Sequence, residues 1–192
     1  SKTKNEYDLP FYYMGQVING NFNWESPTNL TPLGEKNGYQ HLYLEGKGKP
    51  ATDNTKFSWL GNGKFYTLTS ATDKSDDILL TRIGANDPQF NLRREAGLVI
   101  RRKNSSDTTF VSVIESHGSY SPVSEASLNS NSNITKLDVL HDDNDYTAVG
   151  ITDVEGNKQL FILSNNNASK SSKHKLKVNN KDYQWTGPYL YK

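Results

Sequence analysis

The segment from Thr81 to Glu95 carries the densest group of side chains in this chain that could bind a ligand. It is predicted to be the end of a strand that runs into a loop marked by Gly84 and Pro88. The arginines and asparagines of this segment are Arg82, Asn86, Asn91, Arg93 and Arg94, with Asp87 among them. Because a guanidinium fork matches a planar anion with two hydrogen bonds, these five residues are predicted to bind a substrate carboxylate. The alternative is that Asn86 and Asp87 cap turns while Arg93 and Arg94 pair with acids of a neighbouring strand or domain.

A second candidate lies in the segment from Val113 to Tyr120, where a predicted core strand ends on a carboxylate, an imidazole and a phenol. Glu115 and His117 are two residues apart, so on a strand they share one face. A carboxylate that orients an imidazole nitrogen recurs in acid–base chemistry, and both residues are therefore predicted to contact substrate. The alternative is a hydrogen-bonded pair that closes the edge of a sheet.

No catalytic residue and no metal ligand is predicted. The histidines His41, His117, His141 and His174 lie far apart in sequence, and only His141 has adjacent carboxylates, in Asp142 and Asp143. The sequence contains neither the Gly-X-Ser-X-Gly motif of serine hydrolases nor the Gly-X-X-X-X-Gly-Lys-Ser/Thr motif of phosphate-binding loops. Hydrolase and nucleotide-binding functions are correspondingly disfavoured. No cofactor is predicted.

Aromatic residues make up 11% of the chain and could form a platform for sugars. Apolar sugar faces pack on aromatic rings while hydroxyls find polar groups at the rim. The candidates are Trp24, Tyr39, Trp59, Trp185 and Tyr189. Packing in a hydrophobic core explains most of these residues equally well.

The elements that must position these groups are predicted to be β-strands. Tyr and β-branched residues recur in short runs separated by Gly, Asn, Asp and Ser. The predicted strands are 11–18, 39–45, 56–60, 64–70, 78–83, 98–103, 109–116, 134–140, 146–152, 159–164 and 174–178. Hairpin turns are predicted at 60–64 and at 153–157, and surface loops at 119–133 and 165–172. So many short strands favour an all-β fold, an antiparallel two-sheet β-sandwich.

The length of 192 residues fits one domain spanning residues 1–192. Lys and Arg number 22 and Asp and Glu 21, for a formal charge of +1, so no strong overall field draws the chain to nucleic acid or an anionic membrane. Any polyanion binding must be local. The apolar runs are far shorter than the roughly 20 residues that span a bilayer, and no export signal opens the sequence. The chain therefore resembles the downstream piece of a larger protein.

Four ordered segments carry a family resemblance. They are Tyr7–Tyr13 with Gly15-Gln16, Leu30–Gly34 with Asn37–Leu42, Thr81–Arg93, and Ser112–Gly118. Together they resemble the C-terminal part of polysaccharide lyase family 17, the alginate and oligoalginate lyases of the heparinase II/III-like group. The resemblance extends over roughly residues 5 to 165.

The resemblance implies a β-sandwich that follows a helical domain, in an enzyme that cleaves uronate chains by β-elimination. In that family Asn, His and Tyr of the helical domain catalyse the reaction. A structural zinc is bound in an early part of the β domain by His-X-His, Asp-Tyr-Gly-like and Ala-His-Asn-Thr-like segments, none of which occurs here. The expected function is thus the non-catalytic β-sandwich portion of an alginate lyase. The alternative is a stand-alone carbohydrate-binding module for acidic polysaccharides.

The same resemblance implies the partners and the compartment. Two partners are expected: an acidic polysaccharide or oligosaccharide such as alginate, and the missing upstream helical domain. A homodimer is a further possible assembly. A periplasmic or secreted location is expected.

Overall fold

A computed structural model describes residues 11–13, 16–20, 22–25, 31–34, 39–83 and 95–192. Its strands are β1 (Phe11–Tyr13), β2 (Gln16–Gly20), β3 (Phe22–Glu25), β4 (Thr31–Pro32), β5 (Leu42–Pro50), β6 (Asn54–Gly61), β7 (Lys64–Ala71), β8 (Asp77–Ile83), β9 (Glu95–Arg101), β10 (Ser112–Ser121), β11 (Ala126–Leu128), β12 (Ile134–Asp142), β13 (Tyr146–Asp153), β14 (Lys158–Ser164), β15 (Lys173–Val178), β16 (Lys181–Thr186) and β17 (Tyr189–Tyr191). A single 3₁₀ turn, Tyr39–His41, precedes β5 within the described ranges. The described strand pairs are antiparallel. The predicted all-β antiparallel class is confirmed, and the sheets are consistent with a β-sandwich.

The chain divides into two compact units, and the first comprises residues 1–57 and 72–107. In this unit β5 pairs with β3, β4 and β8, and β8 pairs in turn with β9. Three consecutive residues of β8, Ile78, Leu79 and Leu80, are all buried. Because successive side chains of a strand point to opposite faces, both faces of β8 are covered. The prediction of one domain over 1–192 stays a prediction.

The second unit comprises residues 58–71 and 108–192. Here β10 lies between β7 and β11, and a four-stranded sheet runs in the order β12-β13-β14-β17. The β15–β16 hairpin packs on that sheet. Val178 and Trp185 of the hairpin join Ala148 and Ile162 of the sheet in one buried cluster, with Leu140 packed against it. This cluster forms a core between two β layers.

Tight turns fix the hairpins. Asn62 and Gly63 have φ values of 52° and 73° and join β6 to β7, as the Asn-Gly pair predicted. Asp153 accepts hydrogen bonds from the backbone N–H groups of Glu155 and Asn157, both at 2.9 Å, which confirms the second predicted turn. A third turn, between β15 and β16, was not predicted. It uses Asn179 and Asn180 at φ 48° and 65°.

Some sequence predictions were wrong in detail. The predicted loop 119–133 contains the end of β10 and all of β11, and the predicted strand 11–18 is the hairpin of β1 and β2. The predicted strand 39–45 begins as the 3₁₀ turn. Strands β3, β4, β16 and β17 were not predicted. Strands β3, β4 and β17 contain only two to four residues, too few for a period-two pattern to stand out. Strand β16 does alternate over Asp182–Thr186, and this signal was missed.

The candidate aromatic residues do not share one environment. Trp59 stacks on Tyr66 at a centroid distance of 5.6 Å, and Trp185 lies in the core of the second unit. Tyr39 and Tyr189 are exposed. The Trp24 side chain lies outside the described part of the structure. No helix among the described residues is both long and apolar enough to span a membrane.

Candidate functional site

Strand β10 positions both members of the predicted carboxylate–imidazole pair. Glu115 pairs in register with Thr67 of β7, and His117 pairs with Phe65. The exposed residues Ile114 and Ser116 alternate with them, so Glu115 and His117 share the less exposed face, as predicted. That face is covered by the connection between β11 and β12.

The His117 ring is buried, at 7% exposure, and both ring nitrogens have partners. Nδ1 lies 2.9 Å from the carbonyl oxygen of Asn129, and Nε2 lies 2.8 Å from Oγ1 of Thr67. A carbonyl oxygen can only accept, so Nδ1 carries the proton, and in the neutral ring Nε2 accepts from the Thr67 hydroxyl. Thr67 is 2.7 Å from the Ser58 hydroxyl, which extends the chain of hydrogen bonds. The imidazole thus ties β7 to the segment that follows β11.

The Glu115 carboxylate binds the next part of the same connection. It accepts hydrogen bonds from the Ser132 hydroxyl at 2.5 Å and from the backbone and side-chain N–H groups of Asn133 at 3.1 and 3.0 Å. Burial by itself raises the pKa of Glu115, but these hydrogen bonds from Ser132 and Asn133 outweigh it, and the pKa lies below its ordinary value. Glu115 is therefore ionised at neutral pH.

The two side chains thus bind neighbouring parts of one connection. The lone pair of a neutral His117 already accepts from Thr67, so the ring can remove a substrate proton only after that hydrogen bond breaks. Both side chains therefore have structural partners in this connection. Substrate contact by Glu115 and His117 stays a prediction.

Gly118 makes the close approach of this connection possible. It lies at a register shift between β10 and β7 and has a φ of 53°. A Cβ atom at this position would lie 2.1 Å from the carbonyl oxygen of Asn129 and 2.3 Å from that of Leu128. The glycine therefore permits both the left-handed backbone and the contact that holds His117.

Arg82 of the predicted anion-binding loop is buried, at 8% exposure, in the first unit. Its Nε lies 2.5 Å from the Glu45 carboxylate. The guanidinium therefore has an internal carboxylate partner. The other four predicted ligands of this loop, Asn86, Asn91, Arg93 and Arg94, lie outside the described residues. Substrate binding by the five stays a prediction.

The structure also contains a charged row that the sequence analysis missed. Asp77 of β8 and Arg101 of β9 are register partners, and Lys49 of β5 forms an ion pair with Asp77. Asp77 Oδ1 lies 2.7 Å from Lys49 Nζ, and Asp77 Oδ2 lies 2.9 Å from Arg101 Nη2 and 3.1 Å from Lys103 Nζ. The hydrogen bond from Lys49, with those from Arg101 and Lys103, holds the pKa of Asp77 far below its ordinary value.

Beside this row, the fully buried Asp76 accepts two hydrogen bonds of 2.7 Å from Nε and Nη2 of Arg102. The pattern Asp76-Asp77 followed by Arg101-Arg102-Lys103 is visible in the sequence. Only the antiparallel pairing of β8 with β9 shows that the two aspartates lie beside these basic residues. The pair stabilises the end of this sheet.

The chemistry of the residues present does not fit the zinc site that the resemblance implies for the wider family. The three ligand segments of that site are missing from the sequence. Among the described residues, no group of three or more His, Asp and Glu could hold a metal ion. The absence of a metal from this chain stays a prediction.

Comparison with known proteins identifies relatives along nearly the whole chain. An alginate lyase of Stenotrophomonas maltophilia is 34% identical over 184 residues, which is 95% of this chain and 24% of the relative. An exo-oligoalginate lyase of Saccharophagus degradans is 30% identical over 185 residues, or 94% of this chain and 25% of the relative. No family model matches the chain. The predicted resemblance to alginate lyases is confirmed, and the chain spans about a quarter of the length of these curated relatives.

Proposed function

We propose that this chain is the β-sandwich portion of an alginate lyase that degrades uronate polysaccharide by β-elimination. The observation that carries the proposal is the match to two alginate lyases over 94–95% of the chain. That match covers only a quarter of each relative, so the remaining three quarters leave room for the reactive groups elsewhere.

We also infer that the chain supports the substrate and does not itself eliminate it. β-Elimination needs a group that neutralises the uronate carboxylate, a base for the C5 proton and an acid for the leaving oxygen. The predicted pair does not offer a free base and acid, because Glu115 and His117 both hold the connection between β11 and β12. The base and the acid are therefore assigned to the portion of the enzyme outside this chain.

The proposal includes the partners expected from the resemblance. A helical domain of the heparinase II/III-like type would supply the catalytic groups, and the zinc-binding segments would belong to an early part of the β domain, upstream of this chain. The enzyme would act in the periplasm or outside the cell, where a polymeric substrate is accessible. Homodimerisation through the sheets is a further part of the proposal.

The test uses the complete protein that contains this chain, incubated with alginate. We expect new ultraviolet absorbance from the unsaturated uronate that β-elimination creates at each new non-reducing end. Chemically reduced alginate, in which the carboxylates are converted to alcohols, is the matched control and should not be cleaved. A complete protein that produces no unsaturated uronate from alginate would overturn the proposal.

A further inference from the structure

The charges of this chain are unevenly distributed. Residues 165–192 contain six lysines and one aspartate, a net charge of +5 with His174 neutral. The 164 residues before them contain sixteen basic and twenty acidic side chains, a net charge of −4. The overall charge of +1 therefore conceals a basic end of the second unit.

Three of these lysines, Lys173, Lys175 and Lys177, alternate along β15 and are all exposed. We call them the lysine row. The alternate residues of the strand face inward, since His174 and Val178 are buried and Leu176 packs against the core cluster. The His174 ring stacks on Trp185 with centroids 5.1 Å apart. The core contacts of the inward side chains fix the strand, and the lysine row therefore occupies one face at a defined spacing.

The positive charge of the lysine row is not neutralised locally. Among the residues that the structure describes, no carboxylate lies within ion-pair distance of these three ammonium groups. Three cations of the first unit differ in this respect, because Lys49, Arg101 and Lys103 all form ion pairs with Asp77. The lysine row is thus available to an external anion.

Strand β16 completes this face with groups suited to sugars. In register, Lys173 pairs with Thr186, Lys175 with Gln184 and Lys177 with Asp182. These three partners are exposed, and the hydroxyl and the amide can exchange hydrogen bonds with sugar hydroxyls. Asp182 reduces the positive charge at one end of the face.

The composition of this face disfavours nucleic acid. Single-stranded nucleic acids bind where basic grooves are combined with aromatic rings on which bases stack. The two aromatic residues of the hairpin, Tyr183 and Trp185, belong to the inward core instead. The six outward side chains of the described hairpin are three lysines, a hydroxyl, an amide and a carboxylate.

We propose that the lysine row binds the carboxylate groups of an acidic polysaccharide, with Gln184 and Thr186 bonding to its hydroxyls. Strand geometry places neighbouring lysines about 6.7 Å apart and the whole row over about 13 Å. At an ionic strength of about 0.1 M the screening length is about 10 Å, so neighbouring charges act on one polymer together. The choice of a uronate polymer rests on the proposed function, whereas the basic face does not.

The experiment measures binding of this 192-residue chain to fluorescently labelled alginate oligomers by anisotropy, across about 0.01 to 0.15 M salt. The test variant carries Lys173→Gln, Lys175→Gln and Lys177→Gln. The control variant carries Lys64→Gln, Lys74→Gln and Lys158→Gln, which removes the same charge from three exposed lysines elsewhere. Circular dichroism confirms that both variants keep the fold.

We expect roughly tenfold weaker binding from the test variant at low salt, the combined effect of three exposed charge contacts, and less than about a twofold change from the control. Replacing the same three lysines by arginine should retain binding, because the charges remain. Equal losses in the two triple variants would overturn the inference, as would the absence of binding by the unmodified chain. Binding to a single-stranded DNA oligomer of equal charge with the same affinity would overturn the assignment to polysaccharide.

These outcomes are separable from failure of the proposed function. If the complete protein cleaves alginate while the test variant binds it unchanged, the proposed binding by the lysine row is wrong and the lyase proposal stands. If the test variant loses binding to alginate oligomers and the complete protein does not cleave alginate, the proposed binding by the lysine row is supported and the lyase proposal fails.

Discussion

Replacement of Gly118 by alanine is expected to be far more damaging than the same replacement at Gly156. Both glycines have positive φ, 53° and 85°, and both belong to the second unit. A Cβ at Gly156 meets no atom within 4 Å, whereas a Cβ at Gly118 would lie 2.1 Å from the Asn129 carbonyl oxygen. The pair of variants therefore separates backbone strain from a steric clash.

The expected magnitudes follow from the geometry. The left-handed conformation costs an alanine about 1–2 kcal/mol, and this is the whole expected effect of Gly156→Ala. In Gly118→Ala the Asn129 carbonyl must also move by about 1 Å, because real Cβ contacts below 3.0 Å essentially do not occur. That carbonyl accepts the 2.9 Å hydrogen bond from His117, and a buried donor left unpaired costs about 1–3 kcal/mol. We expect a total of about 2–5 kcal/mol for Gly118→Ala.

The assay is urea-induced unfolding of the chain at neutral pH, followed by the fluorescence of its three tryptophans, of which Trp185 is buried in the second unit. Unchanged slopes against urea would show that the two variants differ in stability and not in the unfolded state. Nitrogen NMR of the His117 ring should show a changed environment in Gly118→Ala alone. Costs within about 0.5 kcal/mol of each other, which is the resolution of such measurements, would refute the steric reasoning.

The remaining predictions concern buried charges and the imidazole network. Asp76→Asn should lower the free energy of unfolding by about 3–5 kcal/mol in urea titration, because it leaves the Arg102 guanidinium without its buried counter-charge; a loss below about 1 kcal/mol would contradict this. Hydrogen bonding from Lys49 depresses the pKa of folded Asp77, so its stabilisation is complete above its unfolded pKa of about 3.9 and is lost as pH falls further. Urea midpoints between about pH 2 and 6 should therefore fall less steeply in Asp77→Asn than in the unmodified chain, and equal pH profiles would be contrary evidence. Thr67→Val should cost about 1–3 kcal/mol and shift the His117 ring nitrogens in NMR, since it removes the donor to Nε2; unchanged ring signals would refute the assigned tautomer.

The sequence predicted those strands and turns whose conformation is determined by their own residues. The Asn62-Gly63 turn and the alternating strands around it were predicted, because both central residues of such a turn need positive φ. Strand β11 was missed because Ala126–Leu128 lies in a Ser- and Asn-rich segment with no apolar alternation. It pairs with β10 through backbone hydrogen bonds, to which composition gives no clue.

The candidate site shows the same limit. Period-two spacing correctly placed Glu115 and His117 on one face. Their partners come from β7 and from the segment between Asn129 and Asn133, which only tertiary structure brings to that face. The lysine row was visible as a basic stretch, but its single-sided exposure depends on the packing of His174 and Val178 into the core.

The most direct test of the account is the elimination assay applied to this chain by itself, beside the complete protein at equal molar concentration. The account assigns polymer support to the chain and the acid–base chemistry to the rest of the enzyme. It predicts that unsaturated uronate accumulates from alginate with the complete protein and stays at the buffer background with the 192-residue chain. Steady formation of unsaturated uronate by the chain, at a rate comparable with that of the complete protein, would contradict it.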